Sequence, residues 1–158
     1  VVSVEMIEAV GRAYWPTYFA TIDRVLAPGG RVAIQAITMP HDRMRASRNT
    51  YTWVHKYIFP GGQLASLPAL RDVTAEHTRL RLRDNLSMGH HYAETLRLWR
   101  ERFTARRADV ESLGFDSTFM RMWQFYLAYS EAGFRAGYLD VHQLVFTRDD
   151  DSAGSTDS

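Results

Sequence analysis

The 158-residue chain contains no cysteine. That excludes disulfides, thiolate metal ligands and a cysteine nucleophile. Lysine is almost absent too: Lys56 is the only one, and every other basic side chain is arginine. No excess of one charge exists. Nineteen Lys and Arg stand against eighteen Asp and Glu, and a net charge of +1 excludes the strongly basic profile of a bulk nucleic-acid binder. The apolar stretches are interrupted too often to span a bilayer, and no signal-peptide pattern opens the sequence. No HExxH, GxGxxG or P-loop is present. No internal repeat is visible, and no Ser-His-Asp set follows from spacing.

What is present is one domain's worth of ordinary globular sequence. Hydrophobic residues make up 46% and charged residues 23%, enough for a sizeable core. Aromatics reach 13%, which points to a core or pocket rich in flat side chains. Val1-Val2-Ser3-Val4 reads as a strand already under way, so further sequence upstream is expected.

The hydrophobic pattern gives an α/β order. Val1 to Glu5 is a valine-rich run, the signal of a buried strand. Tyr14 to Leu26 predicts a helix with Tyr18, Ile22, Val25 and Leu26 on one face, ended by Pro28-Gly29-Gly30. Arg31 to Met39 predicts a strand apolar on both faces apart from Gln35 and Thr38, as in a parallel sheet. Together these make a βαβ unit. Pro40 to Asn49 reads as loop or short helix, and Tyr51 to Phe59 is dense in aromatics. Ser66 and Pro68 predict a helix start for Leu67 to Ala75. Arg79, Arg81 and Arg83 alternate with Leu80 and Leu82 in a half-exposed strand. Tyr92, Leu96, Trp99, Phe103, Val110 and Leu113 form one continuous helical stripe, with Gly114 where a C′ glycine belongs. Asp116 or Ser117 caps a further helix, about Thr118 to Ala136. That helix is apolar nearly all round, hence buried or lining a cavity. Leu139 to Thr147 closes as a strand. From Arg148 the sequence reads as a disordered, acidic, Ser-rich tail.

Several residues have the chemistry for a site. Glu5 and Glu8 follow the first strand, where ligands bind in open α/β sheets. Surface carboxylates in a loop are the competing reading. Gln35 and Ile37 lie toward the end of the second strand, at the same crevice, although a lone strand Gln is commonly a hydrogen-bonded core residue. Tyr92 is either a site hydroxyl or a core tyrosine on its stripe. His41, His55 and His77 are scattered, and His90 and His91 are adjacent and share no face, so no metal site is expected. The Arg79, Arg81, Arg83 face reads as solvated rather than lipid-binding.

Five segments together resemble the cyclopropane-fatty-acyl-phospholipid synthase family from Val1 to about Arg148. They are VVSVEMIEAVG (Val1 to Gly11), YWPTYFATIDRVLAPGGRVAIQAIT (Tyr14 to Thr38), KYIFPGG (Lys56 to Gly62), GHHYAETLRLWRERF (Gly89 to Phe103) and FYLAYSEAGFRAGYLDVHQLVF (Phe125 to Phe146). LxPGGR alone is generic to class I methyltransferases. KYIFPGG and HYAETLRLW in this order are specific.

The resemblance implies the C-terminal half of a Rossmann-like class I methyltransferase fold over residues 1–148, with inserted helices as an acyl-binding lid and 149–158 as the tail. It implies S-adenosylmethionine as methyl donor and the double bond of an unsaturated phospholipid acyl chain as acceptor, giving a cyclopropane. Two alternatives stand: a mid-chain methyl or methylene branch, and a fragment without activity alone. The family's base is a bound bicarbonate. Its site maps onto Glu8, Gln35, Ile37 and Tyr92. At Gln35 many members carry His, and the family's Cys has no counterpart here. Val4 is the best match to a cofactor-lining residue, since the Gly-rich loop and ribose-binding acid are absent. Contact with the inner membrane face from the cytoplasm is implied, together with the option of a homodimer.

Overall fold

A computed structural model describes residues 1–149. The tail expected from the sequence lies mostly in 150–158, outside the described residues. Arg148 and Asp149 themselves are ordered: Arg148 ends a strand, and Asp149 pairs with Arg81 and Arg83.

The described residues form two compact units, residues 1–87 with 141–149, and residues 88–140. The first unit holds strands β1 (Val2–Val4), β2 (Val32–Thr38), β3 (Leu80–Ser87) and most of β4 (Asp140–Arg148). Its helices are α1 (Ile7–Val10), α2 (Trp15–Val25), α3 (His41–Ala46), α4 (Trp53–Tyr57) and α5 (Leu67–His77). The sheet order is β1-β2-β4-β3. β1 runs parallel to β2 with Val4 opposite Gln35, and β3 runs antiparallel to β4. The parallel pair brings both carboxyl ends to one edge, with α2 as the crossover between them.

The expected βαβ unit is therefore present, with two corrections. β2 is not buried on both faces. Val32, Ile34, Ala36 and Thr38 are buried, while Ala33 is exposed and Gln35 and Ile37 are half-buried. The buried face packs on Phe19 and Ile22 of α2, Leu70 of α5, and Leu144 and Phe146 of β4. Phe19 and Phe146, both fully buried, have ring centroids 5.9 Å apart. Nor is β1 buried: Val2 is 76% and Val4 62% exposed, while Ser3 turns inward to the Tyr18 hydroxyl. A run of apolar residues cannot itself say how many faces are covered.

Gly29 (φ +69°) and Gly30 make the turn after α2. A Cβ on Gly30 would stand 2.7 Å from the Ala27 carbonyl oxygen, so only glycine closes the chain so tightly. α5 begins as predicted, with Ser66 Oγ accepting the Ala69 N–H.

The second unit holds α6 (Gly89–Ala105), α7 (Arg107–Ser112) and α8 (Ser117–Arg135), inserted in sequence between β3 and β4. The stripe from Tyr92 to Leu113 is not one helix. The chain breaks at Arg106, whose ψ of 26° leaves the helical region. α7 does end at Gly114 in the left-handed region, and Asp116 rather than Ser117 caps α8. α6 and α8 pack through Ala93, Leu96, Met120, Leu127 and Phe134. α8 is not buried all round: Phe125 and Tyr129, stacked at 6.0 Å, are half exposed.

Candidate active site

The first loop after β1 turns sharply. Glu5 has φ +49°, an uncommon conformation for a residue with a side chain, and its N–H donates to the Gln35 carbonyl at 2.8 Å. That bond extends the β1–β2 pairing by one residue and sets the chain for α1. Glu8, in the first turn of α1, then reaches across to β2. Its Oε1 accepts the Ile37 N–H at 2.6 Å. Its own carbonyl accepts the Gln63 N–H at 2.8 Å, which ties the PGG loop to α1.

The other carboxylate oxygen, Oε2, is buried and has no hydrogen-bond partner. Burial raises the Glu8 pKa above the usual carboxylate value. The Ile37 N–H and its own N–H oppose the rise, and the Glu5 charge adds to it. A half-buried carboxyl with one anchored and one unanswered oxygen is suited to holding or taking a proton.

Gln35 sits beside it. Its amide nitrogen donates to Glu5 at 3.0 Å and its carbonyl accepts from Gln143 at 3.1 Å. The three sequence-predicted residues Glu8, Gln35 and Ile37 thus gather at the carboxyl end of the parallel pair, where open α/β sheets bind ligands. Val4 is the register partner of Gln35, with its side chain largely uncovered. Tyr92 lies in the second unit, in the first turn of α6. Its ring packs at 5.0 Å on Phe134 and 6.4 Å on Trp99. His142 bonds Thr38 at 2.9 Å, and no metal-holding cluster exists among the described residues.

Sequence reasoning missed three participants. Gln143 was read only as part of a closing strand, yet its place on the face opposite Leu144 could have put it beside Gln35. Gln63, directly after the PGG motif, bonds both Glu8 and the Arg12 N–H. Tyr18 was read as core, but its hydroxyl donates to Ser3 at 2.7 Å.

Known proteins resemble this chain over nearly its whole length. The sequence profile of the mycolic acid cyclopropane synthetase family matches residues 1–144. The chain is 63% identical over 149 residues to tuberculostearic acid methyltransferase UfaA1 of Mycobacterium tuberculosis, covering 94% of this chain and 35% of that protein. It is 34% identical over 148 residues to cyclopropane-fatty-acyl-phospholipid synthase of Escherichia coli K12, covering 94% and 37%. The chain therefore spans about a third of the length of these two relatives. In structure it is similar to the mycolic acid cyclopropane synthase CmaA1 complexed with SAH and CTAB, with a TM-score of 0.81 at 24% identity, covering 92% of this chain and 53% of that one. The fold is that of the class I methyltransferases, and the chain belongs to the mycolic acid cyclopropane synthetase family.

Proposed function

We propose that the full-length protein transfers a methyl group from S-adenosylmethionine to the double bond of an unsaturated fatty acyl chain. The observation that carries this reading is the Glu8 carboxyl, anchored on Ile37 at the sheet's carboxyl edge with Oε2 buried and unanswered.

S-adenosylmethionine, when bound, supplies a methyl on a positively charged sulfur. Toward it this chain offers Val4 and Met6, both more than half exposed, which fit an apolar part of the cofactor at the end of β1. The alkene's π electrons form the new carbon–carbon bond, and the carbon–sulfur electron pair leaves with the sulfur. Positive charge is left on the acyl chain. A carboxylate stabilises that charge, and a raised pKa makes Glu8 a better acceptor for the proton that must leave. Within the second unit, Phe115 stacks on Phe119 at 4.3 Å and Phe119 on Trp123 at 5.8 Å, an aromatic surface suited to an apolar acyl chain.

Bicarbonate fits these residues poorly. The Ile37 N–H that would hold it donates to Glu8, and the Gln35 amide is engaged by Glu5 and Gln143. The proton acceptor is therefore assigned to Glu8 itself.

Between ring and branch, the 63% identity to a tuberculostearic acid methyltransferase favours the branch over the cyclopropane of the 34% relative. A hydride shift toward the cation, followed by loss of a methyl proton, leaves a methylene branch. Direct closure with loss of that proton would leave a ring. Labelled S-adenosylmethionine and unsaturated phospholipid, incubated with the full-length protein and read by mass spectrometry, test this. The expected product gains one CH2 and takes up hydrogen under mild hydrogenation. A product resistant to hydrogenation reverses the branch assignment. Unlabelled lipid from folded, cofactor-binding protein overturns acyl methylation.

A further inference from the structure

A second polar pocket lies in the first unit, formed by α2, α3 and α5. Its volume is about 430 Å³. Arg12, Arg45 and Arg48 line it with His41. None of the three guanidinium groups makes an ion pair among the described residues. Several arginines elsewhere in this chain are paired: Arg81 and Arg83 with Asp149, Arg97 with Glu94 and Glu101, Arg148 with Asp23. Here three arginines without an ion pair share the lining of one concavity.

Trp15 supplies an independent observation. It also lines the pocket and is only 2% exposed, yet its indole Nε1–H is buried without a hydrogen-bond partner. A buried N–H donor without an acceptor is costly, and buried polar groups are normally satisfied. A ligand oxygen in the pocket would satisfy it. His41 is held in place through Nδ1, 2.7 Å from Ser66 Oγ, which leaves its other ring nitrogen for the pocket. Asp72 and Glu76 of α5 also line it, so the site is not uniformly cationic. These two carboxylates disfavour a bare polyanion and favour a group with one anionic centre flanked by hydroxyls.

We propose that this pocket binds a phosphate ester, with the arginines on the phosphate oxygens, the Trp15 indole as a further donor, and Asp72 and Glu76 accepting from neighbouring hydroxyls. Arginine's planar fork suits phosphate oxygens, which it grips in pairs. The nearest source is the glycerol-phosphate headgroup of an anionic phospholipid, and only this choice of source rests on the acyl-lipid reading. The same unit carries exposed aromatic side chains of the kind found at interfaces: Tyr14, Tyr51, Tyr57 and Phe59 are all at least 49% exposed, and Lys56 stands over the Tyr57 ring at 4.9 Å.

The test uses the full-length protein in two arms. In the first, glycerol 3-phosphate and inorganic phosphate are titrated while the Trp15 indole N–H resonance is followed by NMR, assigned with Trp15→Phe. A saturable shift with glycerol 3-phosphate, lost in the Arg45→Gln/Arg48→Gln variant, is expected. No shift in the folded protein overturns the site. In the second, co-sedimentation is measured with vesicles of phosphatidylglycerol mixed into phosphatidylcholine and with pure phosphatidylcholine. The double variant is expected to lose at least fivefold in affinity for the anionic vesicles only. An indole shift with unchanged vesicle binding overturns the lipid source and leaves a soluble phosphate ester as the ligand. Neither arm reads methyl transfer, so failure of the site is distinct from failure of the acyl-methylation reading.

Discussion

Glu8 Oε1 accepts the backbone N–H of Ile37 at 2.6 Å, across 29 residues of sequence. The bond joins the loop after β1 to the end of β2 and fixes one carboxylate oxygen. The other oxygen is left buried and unanswered. A carboxyl held in this way is ordered before any ligand arrives, which is what a group acting on a developing charge requires.

Glu8→Gln separates chemistry from scaffolding. The Gln side-chain carbonyl can still accept the Ile37 N–H, so the loop should keep its shape. The variant cannot take a proton, and methyl transfer should fall by roughly 10²-fold or more. Single-turnover assays on labelled lipid would read the loss. Retained activity would remove Glu8 from the reaction.

The same residue sets a pH dependence of stability. Its folded pKa is raised, chiefly by burial, so the folded state holds the proton more tightly than the unfolded chain. Stability from this group is present below the unfolded value of 4.5 and is lost as pH rises through the folded value. Glu8→Gln has no such loss. Its melting temperature relative to the parent should therefore increase from pH 4 to pH 8. A difference that stays flat with pH would show that the carboxyl is not desolvated.

Much of this architecture is legible in the sequence, and the exceptions have physical causes. VAIQAIT announces a strand, but an unbroken apolar run does not reveal that Ala33, Gln35 and Ile37 share an open face. The stripe from Tyr92 to Leu113 keeps helical spacing through Arg106, where neither Gly nor Pro marks the break. The composition of α8 hides its amphipathicity, because aromatic residues such as Phe125 and Tyr129 stand on its exposed side. At the site, the end-of-strand rule brings Glu8 near Gln35 and Ile37. The bond partners themselves depend on a register between distant segments, which local pattern does not encode.

Asp23 and Arg148 lock α2 to the end of β4. Arg148 Nε donates to Asp23 Oδ1 at 2.6 Å, the Arg79 N–H donates to Oδ2 at 3.0 Å, and the paired side chains are 9% and 14% exposed. Burial works against the carboxylate, but the bonds and charges of Arg148 and Arg79 outweigh it and hold the Asp23 pKa below 3.8. Asp23→Ala leaves a buried guanidinium unpaired and should cost about 3 kcal/mol at pH 7. The depressed pKa means that this stability is present above 3.8 and disappears as pH falls below it. Denaturant midpoints of parent and variant should converge toward pH 2, and parallel curves would contradict the pairing.

Ser66 does two tasks with one hydroxyl. Its Oγ caps α5 through Ala69 and lies 2.7 Å from His41 Nδ1 at the start of α3. The residue is fully buried. Ser66→Ala should cost about 2 kcal/mol, above an ordinary cap loss, because the His41 nitrogen is left unanswered as well. Ser66→Thr keeps the hydroxyl and should recover part of that loss unless its added methyl overpacks the site. Equal destabilisation by both, with no change at His41 in NMR, would assign the effect to packing alone.

In the second unit, Glu131 holds α6 and α8 together. It is 8% exposed and accepts from Arg100 and Arg135, each at 2.8 Å. Burial disfavours its charge, and the two arginines more than offset that, so its pKa lies below the usual carboxylate value. Both arginines keep substantial solvent exposure and can rehydrate when the partner is lost. Glu131→Ala should therefore cost about 2 kcal/mol, less than an unpaired buried charge would. Glu131→Met fills the same space without the charge and should recover roughly half of it by burying apolar surface. Hydrogen exchange of the α6 and α8 amides gives the local reading. Both variants should speed exchange there, Ala more than Met. If Met is as damaging as Ala, the ion pairs rather than the packing hold the two helices together.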